Sequence, residues 1–510
     1  MDTLSAPEQI QHEIDALRSQ VAEARAERDL LLAKIRLLEA KLADLTRRLF
    51  GPKSEKLDPA QLKLALGSVQ ADEVIALEPS PAVEEKKPVQ PRKGGGRRPV
   101  PENLPTERVV LDVPEADRVG LVKIREEITE EIDYRPSQFI RRQYVRPVYA
   151  ASDKSVTPVQ ASAPIRVIPG SGVGTALIAH VLVSRFCDHL PYYRLEQIAA
   201  RQGVTLERQK LGNWAEHAAH LLRTVHAQLR KTILTSGYVQ VDETPVKVMD
   251  PEREGSTRPG WLWAYHAPTA ETIFFDFNLS RGRESPEGFF EPGWKGVLQS
   301  DGFSVYPALL RDRPGIIHAG CMAHARRKWV EAVDDGGQTV ATALALIQKL
   351  YLIEAELSAT DSQERTRVRQ ARSVLLLAQL QRHCQQAAAH ALPASGIGKA
   401  AAYALERWAQ LEQFAQPGFG HVLIDNNPTE RQIRPTALGK KNWLFVGHPD
   451  AGWRSAVLYS VLGSCKLAHV NPQNYLVWAL DRLARATNQS VGSLLPADYR
   501  NSLSAVKEQP

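Results

Sequence analysis

The sequence predicts a multidomain α/β protein. A mixed-sheet catalytic core carries an α-helical insertion and is preceded by an N-terminal coiled coil and by small β and helical regions suited to DNA binding. Three observations carry this. Apolar residues repeat with helical spacing over 8–50, short alternating runs separated by turn signals cluster at 237–319, and a nearly unbroken helical pattern fills 336–416. With 510 residues, 43% hydrophobic and 24% charged, the chain has room for roughly three or four domains, which excludes a single small binding module.

The first element is the heptad segment 8–50. Ile10, Leu17, Ala24, Leu31, Leu38 and Leu45 occupy one seam position, and Ile14, Val21, Arg28, Ile35, Leu42 and Leu49 the other, so Arg28 alone is polar. A strict heptad keeps one stripe facing a partner helix, and Pro7 and Gly51-Pro52 bracket it. The pattern reads as a coiled coil that makes a homodimer or higher oligomer; a long amphipathic helix folded onto its own chain satisfies it too. Residues 51–105 read as a linker, too rich in Pro, Gly and charge to offset the entropy of ordering. Its tract 86–99 holds six basic residues, Lys93, Arg97 and Arg98 among them, and no acid. The whole chain carries +6, so everything outside that tract sums to zero. The tract is either an arm for the minor groove of DNA or a solvated tether.

Residues 106–168 alternate in short runs, such as Phe139 to Tyr149, and read as a small β unit. Residues 169–232 read as helical. A helix near 192–202, Gly203, and Thr205 as the N-cap of a helix near 206–230 have helix-turn-helix spacing, with Arg208, Lys210 and Trp214 placed to meet DNA; two helices merely packed through a glycine turn look the same. Strands follow at Gly237–Asp242, Trp261–Tyr265 and Thr272–Phe277, joined by turns that suit an antiparallel meander. Two more, Gly296–Ser300 and Gly315–Ala319, are each followed by a helix, an order found in the RNase H-like fold. The core therefore spans 233–335 and 419–463, split by the helical insertion 336–418, with a helical tail at 464–510.

Asp242 closes the first strand of the core and Asp301 follows the fourth, so neighbouring strands would put both at one rim. Glu430 lies in Asp425-Asn-Asn-Pro-Thr-Glu430, where Asn426 or Asn427 can cap a helix that has Pro428 in its first turn. Singly, each acid is a turn residue or a helix N-terminal charge worth only about 0.3–1 kcal/mol. Together they suit phosphoryl transfer, in which hard oxygens hold two Mg²⁺ ions roughly 3.5–4 Å apart. Arg326, Arg327, Lys328, Arg431, Arg434, Lys440 and Lys441 are candidate phosphate contacts, although any one of them alone suits a solvated surface. His318, Cys321 and His324 have ligand-like spacing but straddle a strand-to-helix junction, which favours a core or site-adjacent role. Cys187, Cys321, Cys384 and Cys465 form no close pair, as expected of a reduced cytoplasmic compartment. The longest nearly unbroken apolar run, Thr175 to Val183, is far short of the roughly 20 residues a membrane span needs.

Several runs strongly resemble the IS66 family of insertion-sequence transposases: Val241-Asp-Glu-Thr-Pro-Val246, Gln299-Ser-Asp-Gly-Phe303, His318 to Lys328, Ile424 to Pro435 and Leu438-Gly-Lys-Lys-Asn-Trp-Leu-Phe445. Leu49 to Leu57, Ile132 to Pro136, Val145 to Tyr149 and Cys465 to Tyr475 extend the likeness over nearly the whole chain. The resemblance implies a DDE transposase in which Asp242, Asp301 and Glu430 bind Mg²⁺, with Mn²⁺ as a substitute. It implies cleavage at transposon ends, attack of the freed 3′-hydroxyl on target DNA, and small accessory proteins from the same element as partners. The family's zinc-finger-like unit is degenerate here: no cysteine precedes Cys187, and Ala150-Ala-Ser-Asp153 stands where a cysteine pair belongs, so no zinc is expected. The rivals are a catalytically inactive DNA-binding relic and a coiled-coil nuclease without strand transfer.

Overall fold

The computed structural model describes residues 139–144, 148–149, 159–160, 165–253, 255–335, 337–485 and 494–507. The heptad segment, the linker with Lys93, Arg97 and Arg98, and most of 106–168 lie outside them. The described residues divide into two compact units. The smaller contains the antiparallel pair β1 (Val148–Tyr149) and β2 (Val159–Gln160) together with residues Ile198–Thr205. The larger contains Pro164–Gln197 and everything from Leu206 on.

Helices α1 (Thr175–Phe186), α2 (Tyr192–Arg201) and α3 (Arg208–Thr235) precede the sheet. The N-cap of α3 is Glu207 rather than Thr205, and it caps without a side-chain bond. Its carboxylate instead takes the Lys210 ammonium at 2.9 Å, which is the stronger partner in that exposed first turn. Further along, Leu211, Ala215, Ala218, Leu222, Val225, Leu229 and Ile233 recur every three or four residues and form the buried stripe of α3.

The sheet has five strands: β3 (Tyr238–Met249), β4 (Thr257–Ala267), β5 (Thr272–Asn278), β6 (Gly296–Gln299) and β7 (Ile316–Ala319), in the order β5-β4-β3-β6-β7. The first three are antiparallel, as turns of a few residues dictate. β6 and β7 run parallel to β3, which requires longer connections; α4 (Glu284–Phe289) and α5 (Val305–Leu310) lie within them. On the edge strand β5, the Ile273 and Phe275 amides donate to the Ser464 and Ser460 hydroxyls of α13 (Gly452–Leu467), so an otherwise open strand edge is satisfied by a helix.

β3 is much longer than β6, which pairs only with Tyr238–Gln240. At its far end the same edge of β3 is taken up by one residue: the Val446 amide donates to the Lys247 carbonyl at 2.8 Å, and the Met249 amide to the Val446 carbonyl at 2.9 Å. Between these two pairings residues 241–246 have no strand on that side, and the candidate site lies there.

Helix α6 (Met322–Glu331) leads into the helical region α7 (Gly337–Glu356), α8 (Ser362–Val368), a π-turn at 369–373, α9 (Val374–His390), α10 (Gly396–Glu406) and α11 (Trp408–Glu412). Trp329, Ile347, Leu350, Leu380 and Cys384 are buried together in a core that continues into Tyr238, Val297 and Ala319 of the sheet. After it come α12 (Asn427–Trp443), α13, α14 (Pro472–Leu483) and α15 (Pro496–Lys507). Among the described residues no helix is long and apolar enough to cross a membrane.

Candidate active site

Side chains alternate across a strand, so Gln240 and Asp242 point to one face of β3, and Gln299 and Asp301 share a parity at the end of β6. The two glutamines have no exposed surface and define how the site is built. The Gln240 amide donates to Gln299 Oε1 at 2.8 Å and to the Asp425 carbonyl at 2.9 Å, while Gln240 Oε1 accepts from the Thr429 hydroxyl at 3.0 Å. The Gln299 amide donates to the carbonyls of Leu423 and Gly320 at 2.7 and 2.8 Å, and Gln299 Oε1 also accepts from the Tyr238 hydroxyl at 2.5 Å. Every hydrogen-bonding atom of both amides is used, which is what polar groups without water require. The result ties β3, β6 and the segment entering α12 together directly beneath three carboxylates.

Asn426 is the first residue before α12, but its side chain does not cap the helix. It turns to β3 and donates to the Val241 carbonyl at 3.0 Å, while its own amide donates to Cys321 Sγ at 3.3 Å. The expected side-chain cap at 426 or 427 is replaced by Asp425, whose Oδ1 accepts from the Asn427 amide at 3.1 Å. The unsatisfied β3 edge is the stronger attraction for Asn426, because the Val241 carbonyl is buried there and has no strand partner on that side. This anchoring places Glu430, one turn into α12, opposite Asp242.

Asp301 and Glu430 thereby act on Asp242. Burial, and then the charges of Glu243, Asp301 and Glu430, hold the Asp242 carboxyl well above the ordinary carboxylate range; its Oδ1 accepts only a local bond from the Glu243 amide at 2.9 Å. Asp301 Oδ1 accepts from the Phe303 amide at 2.9 Å, and Glu430 Oε1 lies 3.9 Å from His324 Nε2. Three repelling carboxylates are donor chemistry suited to a hard divalent cation. Among the described residues, however, no three His, Cys, Asp or Glu side chains are disposed to hold a metal, so the acids share a field without yet sharing a coordination point.

A second cluster, which the sequence reading missed, steadies the Asp301 loop. The Glu243 side chain is only 2% exposed, and it accepts from Arg281 Nη2 at 2.7 Å and from the Tyr306 hydroxyl at 3.0 Å. The Arg281 guanidinium also stacks on Phe303, 3.9 Å from the ring centroid, and faces Trp261 at 4.9 Å. Glu243 thus grips both sides of the turn 301–306. No local signal marked Glu243, whereas Gln240 and Gln299, each two positions before an aspartate, were a signal for the buried amides.

Other sequence candidates are placed as follows. His318 Nε2 pairs with the Ser300 hydroxyl at 2.9 Å, and burial lowers its pKa to about 4; burial pushes the Cys321 thiol up to about 12. Both are structural partners of the site's backbone. Arg326, Arg327 and Lys328 lie on α6, with Lys328 paired to Glu331 at 2.8 Å. Arg431, Arg434 and Lys441 are exposed on α12. Lys440 is half-buried and bridges α12 to β3, donating to Thr244 Oγ1 at 3.2 Å and to the Pro245 carbonyl at 3.0 Å. Arg208 and Lys210 stand on the first turn of α3.

Against known proteins, residues 170–454 match the family model described as the transposase IS66 family, and residues 37–109 match the one described as Transposase C of IS166 homeodomain. The uncharacterized protein y4jD of Sinorhizobium fredii is 32% identical over 488 residues, covering 91% of this chain and 94% of that relative. The uncharacterized protein y4qI of the same organism is 30% identical over 507 residues, covering 95% and 93%.

Proposed function

This chain belongs to the IS66 transposase family, and from that footing we propose that it cuts phosphodiester bonds at the ends of its element and joins the freed 3′ ends to target DNA. The carrying observation is that buried Asp242, at the unpaired edge of β3, is approached by Asp301 from the end of β6 and by Glu430 from α12, so that the leading charges acting on it are all acidic. In this reading the five-stranded sheet is an RNase H-like core, and Asp242, Asp301 and Glu430 would draw together to hold Mg²⁺, or Mn²⁺ in its place. When bound, those ions supply Lewis-acid stabilisation of the attacking and leaving oxygens.

The chain's own residues do the positioning. Asp242 is fixed in β3, Asp301 by the Phe303 amide and the Glu243 cluster, and Glu430 by the Asn426 anchor. Arg431, Arg434 and Lys441 offer phosphate contacts along the helix that carries Glu430, and Arg326, Arg327 and Lys328 offer more from α6. Arg208 and Lys210 would bind DNA farther from the chemistry, and Lys93, Arg97 and Arg98 would do so from the linker. The heptad segment pairs two chains so that two DNA ends are held together.

The test is a cleavage and joining assay on the inverted repeats flanking the gene, with Mg²⁺. Asp301→Asn removes the charge with little change in shape and is expected to cost at least ~10³-fold in rate. Equal behaviour of wild type and Asp301→Asn on the correct ends would favour the inactive relic and sink the enzymatic reading; cutting of arbitrary DNA without joined products would favour the plain nuclease.

A further inference from the structure

The chain leaves α12 in an unusual way. Trp443 packs against the core of the larger unit, with the Arg185 guanidinium 5.1 Å from its ring. Three residues later Val446 is buried and hydrogen-bonded to β3 on both sides. Only Leu444 and Phe445 are left to make the turn, and the Phe445 amide donates to the Trp443 carbonyl at 2.8 Å. That bond closes a three-residue γ-turn centred on Leu444, with φ 66° and ψ −48°. This is the rare, strained hand of γ-turn, in a region that glycine enters readily and a leucine does not. The Leu444 side chain is 62% exposed, with Phe445 at 39% beside it.

Strain is therefore maintained, from both flanks, to hold an apolar side chain out in water. Neither stability nor solubility gains by this, and backbone strain that its surroundings over-determine is characteristic of functional positions. The neighbouring charges indicate the ligand. Helical periodicity puts Glu430, Arg434, Leu438 and Lys441 on one face of α12, with Arg434, Leu438 and Lys441 exposed. At about 1.5 Å per residue, Lys441 stands ~16 Å along the axis from Glu430, or about five base steps of 3.4 Å. A cationic face that starts at the candidate carboxylates and ends in a rigid apolar knuckle has the chemistry of a base-step wedge, in which the cations hold phosphates while the apolar group enters between bases.

We propose that Leu444, three residues beyond Lys441 and backed by Phe445, is a wedge that unstacks a base step of the bound DNA about six base pairs from the bond placed at Asp242, Asp301 and Glu430. The proposal rests on the reading of this protein as acting on DNA, and it adds a distortion that reading does not require.

The experiment uses the full-length Asp301→Asn chain, so that binding is observed without chemistry, and a duplex from the element's end with 2-aminopurine stepped along ten positions. Fluorescence is expected to rise several-fold at one step about six base pairs from the cleaved bond and to stay low elsewhere. Leu444→Gly, which suits the turn, should abolish that rise while keeping end affinity within about threefold and melting at or above the parent's temperature. Leu444→Asn, also tolerant of positive φ, should do the same, and Leu444→Phe should keep the rise. A flat scan on a fully bound complex, or an undiminished rise in Leu444→Gly, would overturn the wedge and leave the transposase reading standing. Failure of the parent to bind the end at all would overturn both.

Discussion

At the scale of single residues, Asp242 carries the sharpest electrostatic prediction. Its folded-state pKa is raised, so the fold is favoured while Asp242 is protonated and loses that advantage as pH climbs past the ordinary aspartate value toward the raised one. Asp242→Asn, which cannot ionise, should match wild type in metal-free melting below about pH 4 and exceed it increasingly toward pH 7, by roughly 2–4 °C for each kcal/mol relieved. A difference that is constant with pH would show that burial and the neighbouring acids do not raise Asp242 as described. That Asp301 and Glu430 come near Asp242 was legible in the sequence, because each of the three closes or opens an element. Glu243 was not: adjacency to Asp242 says nothing of Arg281 and Tyr306, which reach it from 38 and 63 residues away.

At the scale of elements, periodicity located all five strands, the helices near 192–202 and 206–230 and the helical run over 336–416, since it reports the face that is buried. What alternation could not report was length beyond the buried pairing. β3 continues to Met249 on the strength of its partnership with β4 and Val446, neither of which has a local signature. The helical region holds a comparable non-local device. Arg369, with no exposed surface, sits at the π-turn, binds both oxygens of Glu354 at 2.8 and 2.6 Å, and donates to the carbonyls of Phe414 and Val422 at 2.8 and 3.0 Å. It therefore fastens the return segment that Gln299 and Tyr238 grip one residue later. Arg369→Met should destabilise by about 3–5 kcal/mol, because it leaves Glu354 and two buried carbonyls unpaired, whereas replacing both members of the pair by apolar residues should cost clearly less. Chemical denaturation of the single and double variants checks this; equal losses would mean that the ion pair is incidental.

At the scale of the whole molecule, the net charge of +6 is carried by residues 86–99, so the rest of the chain is neutral overall and its cations act locally. The heptad segment belongs to this scale as well. Sedimentation of the full chain is expected to give a dimer or larger species, and deletion of residues 1–50 a monomer; an unchanged mass would assign that stripe to intramolecular packing.

The amide of Gln240 and the carbonyl of Asp425 meet across 185 residues, and nothing local substitutes for that contact. At about 5–20 residues per second, a ribosome needs ~10–40 s to make the intervening chain. After Ala319 is made, the nascent protein therefore still passes through an interval of chain growth in which the sheet's strands and the two aspartates exist without Glu430 or the contacts beneath it. A chain terminated after Ala319 and before Glu430 keeps the residues of all five strands and the early basic residues but lacks the third acid, so on the proposed reading it is expected to compete for the same DNA without cutting it.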